Sequence, residues 1–134
     1  LLGTNKVMTF LSPRGPQAFL AQLPEAPFRY ALTGSYPASR LAPIAPPRLW
    51  MMYVDDATGS AGALDLRPAE SGANVLLVRP FDPVVFERTW EVDRVRMAAL
   101  PQVAADLLTG PGRSPAEADA LLDWMADHED AWRR

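Results

Sequence analysis

The stretch Tyr30-Ala31-Leu32-Thr33-Gly34-Ser35, followed by Pro37-Ala38-Ser39-Arg40-Leu41, decides how this chain of 134 residues folds. Its opening residues are apolar or β-branched, which predicts a buried strand. Gly34 permits a tight turn that a β-carbon would hinder, and Pro37 suits the first turn of a helix. The stretch therefore predicts a strand, a turn and a helix in immediate succession.

Apolar runs elsewhere predict the rest of a sheet. Residues 48–54 and 75–79 are apolar through their middle, which indicates strands covered on both faces. Residues 6–12 predict a short strand, and residues 89–92 and 95–98 predict the arms of a hairpin around Asp93-Arg94.

Helical spacing and capping residues predict the helices. The spacing of apolar residues indicates helices over 16–23 and 101–109. A capping box at Ser114-Pro115-Ala116-Glu117 predicts the start of another. Residues 55–64 predict a loop with one helical turn, because Gly59 and Gly62 weaken a longer helix. We expect a single α/β (α+β) domain over residues 1–134, with a mixed sheet flanked by helices and a C-terminal helix pair.

Composition excludes several classes of function. The chain has no cysteine and a single histidine, His128, so thiolate zinc sites, cysteine nucleophiles and histidine metal clusters are excluded. A net charge of −3 makes it a poor nucleic-acid binder on its own. No apolar run approaches the length of a membrane span, and no signal peptide is visible. We expect a cytoplasmic protein that makes no membrane contact.

The Gly34-Ser35 turn is the first candidate site. Nucleotidyltransferase-fold enzymes hold a triphosphate at a junction of this kind, where backbone N–H groups and a hydroxyl face the anion. Arg40 and Arg48 would complete a bidentate clamp on such an anion. The competing interpretation makes Ser35 the N-cap of a helix and the two arginines surface residues or partners of Asp55, Asp56 or Glu70.

Phosphoryl transfer also requires carboxylates for Mg²⁺, at positions i and i+2 of one strand face with a third nearby. The two faces of residues 48–54 are Leu49/Met51/Tyr53 and Trp50/Met52/Val54, and neither carries an acid. Asp55 and Asp56 follow the strand and are weak metal candidates, better explained as the cap of a short helix. The sequence therefore predicts no catalytic residues, no metal and no cofactor.

Four motifs, taken in order over residues 6–130, give the chain a family resemblance. They are Arg29-Tyr30-Ala31-Leu32-Thr33-Gly34-Ser35; Tyr53-Val54-Asp55-Asp56; Gly72-Ala73-Asn74-Val75-Leu76-Leu77; and Gln102-Val103-Ala104-Ala105-Asp106-Leu107-Leu108 with Gly110-Pro111-Gly112-Arg113. With these the chain resembles the C-terminal domain of AbiEi-type antitoxins and transcriptional regulators of type IV toxin–antitoxin systems.

The resemblance implies a degenerate nucleotidyltransferase-like fold and an upstream winged helix-turn-helix domain that binds DNA. An opening at Leu1 instead of methionine fits that expectation. It also implies a cognate toxin as partner, and self-association is an alternative. We expect a non-catalytic regulatory or protein-interaction domain. Two alternatives stay open: a divergent nucleotidyltransferase using Asp55 or Asp56, and a domain that senses an anionic ligand at the Gly34-Ser35 turn.

Four tryptophans bear on where a partner would bind. Trp50 in a strand and Trp124 on an amphipathic helix are predicted to lie in the core. Trp90 in the hairpin and Trp132 near the chain end are equally compatible with the core or with an exposed contact surface, where aromatic residues are enriched. The acidic stretch 117–130 is interpreted mainly as a solvated helix face.

Overall fold

The structure is a computed structural model that describes residues 5–133. Residues 1–4 and Arg134 lie outside the described part, and so does the opening of the chain that suggested an upstream segment. No helix within residues 5–133 is long and apolar enough to cross a membrane.

A mixed sheet forms the centre of the fold. Seven strands are found in the described residues: β1 (Lys6–Leu11), β2 (Tyr30–Thr33), β3 (Trp50–Val54), β4 (Arg67–Pro68), β5 (Val75–Arg79), β6 (Trp90–Val92) and β7 (Val95–Met97). Their order across the sheet is β4-β1-β5-β3-β2-β7-β6. The pairs β3–β5 and β2–β7 are parallel and the other four are antiparallel. The predicted mixed sheet is thereby confirmed.

Helices cover both faces of the sheet. They are α1 (Pro16–Gln22), α2 (Ser35–Ser39), α3 (Ala57–Ala63), α4 (Leu100–Thr109), α5 (Pro115–Asp127) and α6 (Glu129–Trp132). Short 3-10 turns span Leu23–Glu25 and Pro83–Phe86. The predicted hairpin, the helices near residues 16–23 and 101–109 and the C-terminal helix pair are all present.

Alternate residues of the central strands face two different hydrophobic clusters. Leu32, Met52 and Leu77 pack with Phe19 of α1 and Ala61 of α3 on one face. On the other face, Ala31 belongs to the cluster formed with α2, α4 and α5. Every residue of β3 is buried. Coverage on both faces explains why this strand carries no charged residue, as its apolar sequence predicted.

The segment 55–64 differs from its prediction, since it holds the seven-residue helix α3 rather than a loop with one turn. Asp56 caps this helix by accepting the Gly59 N–H at 3.1 Å. A β-carbon at position 59 would lie 2.3 Å from Asp56 Oδ2, so glycine leaves the room that the cap needs. The glycine that lowers helix propensity here allows the helix to begin.

The predicted capping box at the start of α5 is wrong in detail. Ser114 does occupy the N-cap position, but its side chain makes no capping hydrogen bond. Glu117, which would have reached back to it, accepts the hydroxyl of Ser35 instead. A contact between α2 and α5 has replaced a local one, because tertiary packing brought a hydroxyl within reach of the carboxylate.

Candidate functional site

The Gly34-Ser35 turn lies at the carboxyl end of β2. Gly34 stands at the N-cap of α2 with φ 78° and ψ −142°, a backbone that residues with a β-carbon avoid. Ser35 is therefore the first residue of the helix and not its cap. Its hydroxyl donates to Glu117 Oε1 at 2.5 Å. An anion approaching Ser35 would meet that carboxylate, and the local charge opposes the predicted phosphate contact.

Apolar side chains fill the strand end beside this turn. Because β2 and β3 are antiparallel with Thr33 opposite Met51, the start of β3 lies next to Gly34. A β-carbon on Gly34 would come within 3.3 Å of Met51 Sδ. A β-carbon on Gly112 would come within 2.7 Å of the same sulfur and 3.2 Å of Leu49 Cδ2. Leu49 and Met51 thus occupy the i and i+2 positions where metal-binding carboxylates would face the turn.

No hydrogen bond or ion pair within residues 5–133 joins the two arginines predicted as a clamp. Arg40 Nη2 lies 3.1 Å from Asp93 Oδ2, at the tip of the β6–β7 hairpin. Asp93 was not among the partners that the sequence suggested. Arg48 is exposed, and within residues 5–133 it makes no ion pair or side-chain hydrogen bond. Neither side chain is placed by a contact near Ser35.

Asp55 and Asp56 lie at the opposite end of the β2–β3 pair. Tyr30 pairs with Val54, so Asp55 lies beside Arg29. Arg29 is five residues from Gly34, which corresponds to about 16 Å along an extended strand. Asp55 accepts from Arg29 Nε at 2.7 Å and from Nη2 at 3.0 Å. This bidentate contact lowers the pKa of Asp55. Asp56 caps α3, as the simpler interpretation predicted for this pair.

No group of three or more acidic or histidine side chains able to hold a metal ion occurs in the described part of the chain. The separation of Asp55 from Gly34 explains why these two features do not form one site. A nucleotidyl transfer that uses both would require carboxylates and phosphate cradle at the same strand end. Here they lie at opposite ends.

A buried polar cluster that the sequence patterns did not predict lies between the sheet and α4. Asp106 accepts from the Thr33 hydroxyl at 2.6 Å and from the Tyr53 hydroxyl at 2.9 Å. Gln102 Nε2 donates to the same carboxylate at 3.0 Å. Thr33, Tyr53 and Asp106 are all buried. The cluster ties β2, β3 and α4 together and satisfies polar groups that have no access to water.

Burial raises the pKa of the Asp106 carboxyl, and its three hydrogen bonds act in the opposite direction. Burial also raises the pKa of Tyr53, and the neighbouring carboxylate adds to that shift. The sequence did contain a signal for the cluster. Asp106 lies among the buried positions of α4, between Val103 and Leu107. A charged residue on the apolar face of a helix indicates a buried partner on the element that it packs against.

Three tryptophans line a groove beside the β6–β7 hairpin and the C-terminal helices, with a volume of about 750 Å³. The lining includes Leu41, Trp90, Leu100, Trp124 and Trp132. Trp90 Nε1 donates to the Ala98 carbonyl, and Trp132 Nε1 donates to the Met125 carbonyl, each at 2.8 Å. Because these indole N–H groups are satisfied within the chain, the two rings offer apolar surface to the groove. Trp124, predicted to be core, is only half-buried.

No family model, no curated protein and no solved structure matches this chain.

Proposed function

We propose that this chain is a non-catalytic regulatory domain that binds a protein partner, as part of an AbiEi-like transcriptional regulator or antitoxin. One observation supports the proposal that the domain is non-catalytic. The strand end beside the Gly34-Ser35 turn holds Leu49 and Met51 where phosphoryl transfer requires carboxylates. The four motifs along residues 6–130 support the family assignment.

The proposed partner is the cognate toxin, and the proposed contact surface is the tryptophan groove. Tryptophan is over-represented among the residues that dominate binding energy at protein interfaces. Trp132 and Trp90 supply ring faces whose polar atoms are already paired within the chain. Such faces gain from losing contact with water, and no buried donor is left unsatisfied when they do. DNA contact would belong to an upstream winged helix-turn-helix domain.

Co-expression with the product of the neighbouring gene, where a cognate toxin is expected, tests this proposal. We expect the chain to bind the toxin, and Trp132→Ala to weaken that binding about tenfold or more, as for the dominant residues of an interface. Phe81→Ala is the matched control, because Phe81 is 62 % exposed and lies outside the groove. Affinity is measured by calorimetry on purified proteins, and circular dichroism verifies that both variants fold.

Three outcomes would overturn parts of the proposal. Equal toxin affinity for Trp132→Ala and Phe81→Ala would remove the groove from the interface. A dimer of the chain alone that dissociates in Trp132→Ala, seen by sedimentation, would assign the groove to self-association. Nucleotide transfer by the purified chain with Mg²⁺ would contradict the non-catalytic assignment.

A further inference from the structure

A second cleft lies at the amino end of β2, away from the Gly34-Ser35 turn. Its volume is about 430 Å³, within the usual range for small-molecule sites. Its lining includes three arginines and three aromatic rings: Arg29, Arg94, Arg96, Phe28, Tyr30 and Phe86. In a chain with a net charge of −3, this is a local concentration of positive charge.

The charges in this cleft are not fully balanced. Arg29 is paired with Asp55, and Arg96 Nη2 lies 3.0 Å from Glu91 Oε2. Arg94 is exposed and has no ion pair or hydrogen-bond partner for its side chain in the described part of the chain. The cleft therefore retains one guanidinium free to bind an added anion, flanked by two that are already fixed.

The neighbouring groups are held in place before any ligand arrives. The guanidinium of Arg29 lies over the Phe86 ring, 4.3 Å from its centroid, and Arg96 Nη1 donates to the Thr89 hydroxyl at 3.0 Å. Tyr30 accepts the backbone N–H of Arg96 at 3.1 Å, which leaves its own O–H proton available as a donor. Donors held in position lose little entropy when they bind.

The backbone at Arg94 adds an independent observation. Asp93 and Arg94 form the tip of the β6–β7 hairpin with φ 52° and 66°. A two-residue turn of this kind favours glycine at its second position. The arginine is thus less suited to the backbone than glycine, while its side chain lines the cleft.

We propose that this cleft binds a small organic anion in which a phosphate or carboxylate group adjoins a planar ring. Arg94 contacts the anionic group, with support from Arg29, Arg96 and the Tyr30 hydroxyl. The planar ring packs against the aromatic lining of the cleft. This site is separate from the tryptophan groove, and it does not depend on the proposed toxin contact.

Calorimetry with adenosine monophosphate, adenosine and inorganic phosphate as probes tests both halves of the proposal. We expect the monophosphate to bind at least about tenfold more tightly than either of its parts, since it engages charge and ring together. Phosphate binding as tightly as the monophosphate would overturn the role of the ring. Adenosine binding as tightly would overturn the role of the arginines.

Arg94→Gly is the decisive variant, because glycine suits the turn and preserves the fold. We expect it to weaken binding of the monophosphate about tenfold or more, through the loss of charge-assisted hydrogen bonds. Arg88→Gly is the matched control: Arg88 also has a positive φ, 54°, and lies outside the cleft lining. Ser35→Ala reports on the other end of β2. Both controls should bind as the wild type does.

Two results would overturn the site itself. One is the absence of any heat with the monophosphate at millimolar concentration, confirmed by unchanged arginine side-chain NMR signals. The other is loss of binding in Ser35→Ala with binding retained in Arg94→Gly, which would return the anion to the Gly34-Ser35 turn.

Discussion

The two ends of the β2–β3 strand pair differ in charge and in access. At the carboxyl end of β2, Met51 and Leu49 fill the space beside Gly34 and Gly112. At the amino end, Arg29 is paired with Asp55 and borders an open cleft. The turn whose shape suggests a phosphate site lies at the first end, and the arginine-lined cleft lies at the second.

The difference shows that a turn of the right shape does not by itself bind an anion. The N–H groups at a helix start attract negative charge, but α2 has only five residues and Glu117 already contacts Ser35. Arg29 at the other end is exposed and fixed by a bidentate contact. Side-chain charge and room for a ligand distinguish the two ends more than backbone geometry does.

We call the carboxyl end of β2, beside Gly34, the closed end, and the amino end, beside the cleft, the open end. The largest change in stability that we expect comes from breaking the buried cluster around Asp106, beneath the closed end. Asp106→Ala leaves the buried hydroxyls of Thr33 and Tyr53 without their acceptor. The free energy of unfolding should fall by about 2–4 kcal/mol, since buried donors lose their partners and a cavity forms. Urea denaturation measures this. Asp123→Ala, at an exposed position of α5, should change it by less than about 0.5 kcal/mol. An equal loss of unfolding free energy in Asp106→Ala and Asp123→Ala would contradict a stabilising role for the cluster.

A smaller change in stability is expected from two glycine substitutions, one at the Gly34-Ser35 turn and one in α3. Gly34→Ala forces a β-carbon into a backbone at φ 78° and toward Met51 Sδ. We expect it to lower the free energy of unfolding by about 1–3 kcal/mol. A β-carbon on Gly62, in α3, meets no atom within 4 Å. Gly62→Ala should therefore raise the free energy of unfolding by up to about 1 kcal/mol, because alanine favours helix. Thermal melts of the two variants decide this, and the same sign of change in both would contradict it.

Much of the fold could be predicted because its signals are local. The strands of residues 50–54 and 75–79 are continuous apolar runs, and the Asp93-Arg94 hairpin is set by two neighbouring residues. These patterns depend on burial and turn geometry within a few residues. The mixed sheet with helices on both faces followed from them.

The candidate sites could not be predicted in the same way, because they assemble from distant parts of the chain. Ser35 meets Glu117, which lies 82 residues away, and this contact replaces the local capping box. The cleft joins residues from the start of β2 with others from the β6–β7 hairpin. The parallel pairing of β2 with β7, through Leu32 and Met97, brings them together. No local pattern reports such a pairing.

The smallest effect we expect is that acid shifts the two ends in opposite directions. The pKa of Asp106 is raised by burial, so its folded form binds a proton more tightly than its unfolded form. The stability that Asp106 contributes through this shift is fully present below the ordinary carboxyl pKa, near 3.8. It is lost as the pH rises through the pKa of the folded state. Arg29 lowers the pKa of Asp55. The stability that this ion pair contributes is therefore present above the ordinary carboxyl pKa and is lost as the pH falls through the lowered pKa of the folded state.

Urea denaturation between pH 3 and pH 7 of the wild type, Asp106→Asn and Asp55→Asn separates the two ends. As the pH rises above about 4, the wild type should lose stability relative to Asp106→Asn, by about 1.4 kcal/mol for each unit between the folded and unfolded pKa values. As the pH falls below about 4, it should lose its advantage over Asp55→Asn. If the stability differences of the two variants from the wild type changed with pH in the same direction, the result would contradict this contrast. Asp106 is a buried carboxyl, whereas Asp55 is exposed and paired with Arg29.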